Sequence, residues 1–167
     1  MIESVFGVEG HQLAVAALLG AYLMCLMPHV LRAYYVLQVR KGKYNLGAPR
    51  DMMAKLKEME KTTEDKELKA TLRTISRATA AHENNLENFG VFAAGVLASI
   101  LMGATPGATA CWAVTYVILR FFFNLHYVFN ANPKLGFIRS TIWIACLVCV
   151  IALYVNAFKA AAPSTHS

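Results

Sequence analysis

The sequence predicts an all-α integral membrane protein, a four-helix bundle of up-down topology. Three observations predict it. Of 167 residues, 57% are hydrophobic and 16% charged, against about 45–50% and about 25% in soluble globular domains. The apolar residues fall into four long runs, and each can supply the roughly 20 helical residues that a bilayer core requires. The charged residues concentrate in one connection between runs. The length fits about one domain.

The first run covers about 13–39 and continues through Pro28 to Gln38-Val39-Arg40. Glu3 and Glu9 precede it without a basic segment, so it reads as an uncleaved signal anchor. In the connection of about 40–73, Met52, Leu56 and Met59 recur at helical spacing and predict a short amphipathic helix on the membrane or the bundle. The second span covers about 80–102. Its helix is expected to begin near Thr62 or Thr63, because Thr62 with Asp65 three residues on resembles a capping pair. Gly103-Ala104-Thr105-Pro106-Gly107 breaks it. The third span, about 110–129, ends before Asn132-Pro133, and the fourth covers about 137–158, followed by a frayed tail over 160–167.

The net charge of +6 is a matter of topology here rather than of nucleic-acid binding. The connection 40–73 holds ten basic and six acidic residues, the second connection none of either, and the third Lys134 followed by Arg139. The positive-inside rule then puts the first and third connections in the cytosol, with both termini in the lumen. Contact with anionic membrane lipids adds to this. The four cysteines, Cys25, Cys111, Cys146 and Cys149, all lie in apolar runs and read as small packing residues. Cys146 and Cys149 form a C-x-x-C, but no second Cys or His pair completes a zinc site, so no metal is expected. No phosphate-binding Gly-rich loop and no nucleophile elbow occur.

The informative residues are the polar ones inside the spans. At about 100° per residue, Arg73, Arg77, Asn84, Glu87 and Asn88 share one broad face of the second helix. Tyr116, Arg120, Asn124 and Tyr127 form a stripe on the third, and Arg139-Ser140 opens the fourth. An ionised side chain at mid-bilayer costs roughly 2.5–3.5 kcal/mol, so these groups pair, line a wet cavity or bind a charged ligand. The excess of Arg77, Arg120 and Arg139 over acids suggests an anionic ligand, because guanidinium grips carboxylates in bidentate fashion. Arg139 as a marker of the cytosolic end and the Asn residues as interhelical glue are the plainer readings of the same residues. His126 lies off the stripe and reads as packing or interfacial, and Trp112 and Trp143 as belt or core residues.

Ala81-His82-Glu83-Asn84-Asn85-Leu86-Glu87-Asn88 resembles the second-helix signature of the membrane-associated eicosanoid and glutathione metabolism (MAPEG) superfamily. Gln38-Val39-Arg40, Asp51 thirteen residues after Gln38, and the order Arg120, Tyr127, Arg139-Ser140 extend the likeness over nearly the whole chain, most of all to the microsomal glutathione transferase branches. The chain departs at Ala80 and Glu83, where the pattern often has Arg, at Trp143 in place of a Tyr, and in a longer connection before Arg139. The resemblance implies a homotrimer that binds glutathione as co-substrate between subunits near the cytosolic side. It implies contacts from Arg40, Asn84, Glu87, Tyr127 and Arg139, with His82 and Ser140 nearby, Arg77 a further contact, and Arg120 supporting the site from behind.

Three functions follow as expectations. The first is a glutathione transferase, with possible peroxidase action, on lipophilic electrophiles or lipid hydroperoxides. Arg139 would lower the thiol pKa and Ser140 would donate to sulfur. The others are a non-catalytic lipid-binding scaffold of the same superfamily and a structural subunit of a membrane complex. The expected location is the endoplasmic reticulum membrane, with the mitochondrial outer membrane as the other choice.

Overall fold

The computed structural model describes residues 10–41 and 47–162, and within these it contains helices and no strand. The helices are α1 (Gly10–Val39), α2 (Pro49–Thr62), α3 (Lys66–Leu101), α4 (Pro106–Phe129) and α5 (Gly136–Ala161), with a 3-10 turn at Pro133–Leu135. Glu3, Glu9, Lys43 and the end of the predicted tail lie outside the described residues. Three helices are long and apolar enough to cross a membrane: α1, α4 and α5. The fourth long helix, α3, carries its charges between Lys66 and Glu87 and is apolar from Phe89 onward.

The expected amphipathic helix is α2. Its Met52 and Leu56 are buried against Val36 of α1 and against Leu72 and Ile75 of α3. The start of α3 differs from the expectation. Thr62 belongs to α2, where its hydroxyl donates to the Glu58 carbonyl. The helix begins at Lys66, with Asp65 as the N-cap accepting from the Glu67 and Leu68 amides at 2.9 and 3.2 Å. A carboxylate reaches two orphan amides there and also favours the positive end of the helix dipole. At the other end Gly103, at φ +70°, reverses the chain. Pro106 opens α4, where a missing N–H costs nothing.

α1 packs on α3 and α4, and α5 packs on the same two helices. In lipid no hydrophobic force draws helices together, so close approach of small residues carries the packing. α1 supplies such a stripe: Gly10, Ala14, Ala17, Ala21, Cys25 and Pro28 are buried and spaced three or four apart. At its start, a Cβ on Gly10 would lie 2.5 Å from the Pro106 carbonyl carbon. Large apolar side chains such as Leu19, Val30, Phe137 and Ile144 point outward. Phe92 of α3 and Tyr116 of α4 stack at 3.9 Å in the core.

Pro28 has a structural consequence of its own. Lacking an N–H, it leaves the carbonyl four residues before it without a helix partner. That carbonyl belongs to Met24, and it accepts from Asn85 Nδ2 at 3.2 Å and Asn124 Nδ2 at 2.8 Å. In a membrane such a freed carbonyl is satisfied by neighbouring helices. Pro28 thereby ties α1 to α3 and α4 at one point.

The cysteines divide. Cys25, Cys146 and Cys149 are buried as packing residues, whereas Cys111 is exposed on α4.

Candidate functional site

Arg120 is 2% exposed and sits between α3 and α4. Its Nε donates to the Tyr116 hydroxyl at 3.1 Å, and NH1 donates to Asn84 Oδ1 at 2.9 Å and Asn85 Oδ1 at 3.3 Å. Asn85 Nδ2 in turn donates to Asn124 Oδ1 at 2.7 Å. The guanidinium also lies 5.2 Å from the ring centroids of Tyr116 and Phe123. The network runs through the Asn pair to the Met24 carbonyl. It fixes Asn84 with its oxygen turned inward to Arg120.

Arg77 reaches across from α3 to the end of α4. Its Nε donates to the Val128 carbonyl at 2.9 Å and NH2 to Thr74 Oγ1 at 2.9 Å. Arg139, in the first turn of α5, lies 4.5 Å above the Tyr127 ring, a cation–π contact that holds a flexible side chain in place. Around these groups are two cavities. The first, about 320 Å³, is polar and includes Arg77, His126, Tyr127, Asn130, Asn132 and Arg139 in its lining. The second, about 420 Å³, shares Tyr127 and Arg139 and adds Asn84, Ser140, Phe123, Trp143 and Ile144. No carboxylate lines either cavity. Among the described residues the ion pairs are Lys61–Glu58 and Arg73–Glu60, both away from here. Arg77 and Arg139 therefore line these cavities as cations with no carboxylate among the lining residues, and Arg120 lies buried behind Asn84.

The structure thus brings Arg77, Asn84, Tyr127, Arg139 and Ser140 together, with Arg120 behind Asn84. A chemically coherent arrangement results: a cationic chamber suited to carboxylates, joined at Arg139 to a chamber walled by aromatic and aliphatic groups. A family model described as the MAPEG family matches residues 12–159. The chain belongs to the MAPEG family. No curated protein and no solved structure matches it. Membership puts this MAPEG protein among membrane proteins of glutathione and eicosanoid metabolism, a family with both glutathione-using enzymes and non-catalytic members.

Three residues named from the sequence lie elsewhere in this chain. Arg40 lines a separate cavity of about 140 Å³ with Asp51 and Lys55. His82 turns toward α1, with Nδ1 2.8 Å from the Cys25 carbonyl and its ring 5.0 Å from that of His29. Glu87 is exposed and lines neither chamber. The broad face drawn on α3 also divides, since Arg73 turns to Glu60 of α2.

His126, which the sequence reads as packing or interfacial, and Arg32, which it does not single out, take places the sequence did not give them. His126 lines the polar chamber because the connection after Phe129 folds back beside it, and Asn130 Nδ2 contacts its Nε2 at 3.0 Å. Arg32 of α1 contacts His29 Nδ1 at 2.9 Å, while its Nε is buried with no hydrogen-bond partner among the described residues. An ionisable residue inside the first apolar run was the available signal for Arg32.

Proposed function

We propose that this protein is a membrane-bound glutathione transferase acting on lipophilic electrophiles, with glutathione peroxidase activity toward lipid hydroperoxides. The observation that supports it is the meeting of Arg77, Asn84, Tyr127, Arg139 and Ser140 at adjoining cationic and apolar chambers. The donor set suits glutathione, a peptide with two carboxylates and a thiol.

Arg77 would hold a carboxylate in the polar chamber, and the Asn84 amide, oriented by Arg120, would donate to the peptide. Arg139 lines both chambers, so it is the group suited to sit beside the sulfur. A free thiol has a pKa of about 8.5, which leaves a few per cent thiolate at neutral pH. An adjacent guanidinium favours the anion, and the Ser140 hydroxyl would donate to it. The thiolate sulfur would then bond to an electrophilic carbon, with departure of its leaving group or addition to its activated double bond. Toward a hydroperoxide it would bond to an oxygen, cleaving the O–O bond and releasing the alcohol, after which a second glutathione reduces the sulfenic acid to glutathione disulfide and water. Either substrate would be presented along Phe123, Trp143 and Ile144. A bilayer concentrates such substrates beside this wall.

Arg40 and Glu87 enter this reading through assembly. We infer a homotrimer in which a neighbouring subunit's α1 approaches the exposed side of α3 and completes the site with Arg40 and Glu87, Glu87 taking the ligand ammonium. α3 is then the fourth span, the connection 40–73 is cytosolic, and the endoplasmic reticulum is the expected membrane. Calorimetry on the detergent-purified protein tests the reading. It predicts heat and thermal stabilisation at millimolar glutathione. Neither effect at that concentration would reject the transferase and leave a lipid-binding scaffold.

A further inference from the structure

The connection between α4 and α5 builds part of the polar chamber, where Asn130 and Asn132 join Arg77, His126 and Arg139 in the lining. Backbone donors fix how both amides lie. Asn130 Oδ1 accepts from the Asn132 N–H at 2.9 Å, so Nδ2 is the end that meets His126 Nε2 at 3.0 Å. His126 Nε2 therefore accepts, and the ring carries its proton on Nδ1. That Nδ1 is buried with no partner among the described residues, an unfavourable state that the bond to Asn130 enforces. Asn132 Oδ1 accepts from the Lys134 N–H at 3.0 Å, which leaves Nδ2 as a donor without a hydrogen-bond partner among the described residues. His126 thus holds Asn130, and Asn130 holds Asn132 on the chamber wall.

We infer that the polar chamber takes the glycyl carboxylate of glutathione, and that Asn132 donates to it from a loop pinned by Asn130 and His126. Arg77 spends Nε on Val128 and NH2 on Thr74 and keeps NH1 to donate. The Arg139 guanidinium rests on the Tyr127 ring with its N–H groups unspent. With Asn132 Nδ2 these make a set of donors, and no carboxylate lines the wall. Glutathione has two anionic ends. The glutamyl carboxylate carries an ammonium on the same carbon, and that cation would stand between two guanidiniums with no acid to meet it. The glycyl carboxylate brings no cation, and charge-assisted bonds from such donors are the strong ones. Asn132 is then a binding residue, and His126 a positioning residue that acts through Asn130. This rests on the transferase reading and orients its co-substrate.

Calorimetry on the detergent-purified full chain tests it with three ligands: glutathione, its glycyl amide and its glutamyl α-amide. Asn132→Ala should weaken glutathione and the glutamyl amide about tenfold, the value of one hydrogen bond to a charged group. It should leave the glycyl amide within about twofold, because a neutral acceptor gains little from the lost donor. His126→Ala frees the loop and should repeat that pattern. His126→Gln places an amide oxygen where Nε2 accepts and should restore wild-type affinities. Asn132 is exposed, so its variant still decides the matter if His126→Ala does not fold. Glutathione affinity unchanged in Asn132→Ala, an equal loss with the glycyl amide, or a His126→Gln no better than His126→Ala would overturn the loop assignment alone. A wild type that binds no glutathione would overturn the transferase reading along with it.

Discussion

The carbonyl freed by Pro28 offers a quantitative test of how the bundle is tied together. Asn124→Ala removes the 2.8 Å bond to Met24 O and the 2.7 Å bond from Asn85. Interhelical hydrogen bonds in membranes average about 0.6 kcal/mol and reach about 1.7, so the two together set a loss of about 1–3 kcal/mol. Met24 O keeps the longer bond from Asn85 Nδ2, which leaves it satisfied and holds the cost in that range. Pro28→Ala restores a helix N–H to the same carbonyl. In that background Asn124 is partly redundant, and its removal should cost less by about one bond, roughly 0.6–1.7 kcal/mol. The double-mutant cycle, measured by reversible unfolding in mixed detergent micelles, therefore has a coupling of about 0.6–1.7 kcal/mol, above the roughly 0.3–0.5 kcal/mol scatter of additive sites. Additive losses would refute the claim that Pro28 and Asn124 act on one carbonyl.

Other consequences can be read by thermal unfolding or kinetics. Asp65→Ala removes both cap acceptors of α3 and should cost about 0.5–2 kcal/mol. Gly10→Ala drives a Cβ to 2.5 Å from backbone of Pro106 and should destabilise by about 1–3 kcal/mol. Gly90→Ala meets nothing within 4 Å and should stabilise by up to about 1 kcal/mol. Trp143→Ala enlarges the apolar chamber, and kcat/KM should shift toward bulkier hydroperoxides by about tenfold or more. An unchanged preference would remove Trp143 from the substrate wall.

The helices were legible where Gly and Pro interrupt apolar runs, because such breaks are local. Met52 and Leu56 showed α2 for the same reason, since spacing alone turns them to one face. The start of α3 was misplaced because Thr62 and Asp65 both offer cap oxygens, and only the fold shows which amides each reaches. Periodicity gathered Arg77 and Asn84, yet it also drew in Glu87 and Arg73, which a second helix or solvent takes away. The pairing of Asn85 with Asn124 depends on the register between α3 and α4, which no single helix encodes. His126 was passed over because its place in the polar chamber follows from the return of the chain at Asn130 and Asn132. Ala80 and Glu83, the two departures from the second-helix pattern, lie together on a groove between α2 and α3 rather than beside Arg139.

Ultraviolet titration of the glutathione thiolate bound to wild type and to Arg139→Ala bears most directly on the chemistry assigned to the site. Bound thiol on the wild type should ionise about 1–3 pH units below the free value of about 8.5. Loss of the guanidinium should return it close to that value. Equal titration curves for the two proteins, at saturating glutathione, would contradict the role given to Arg139.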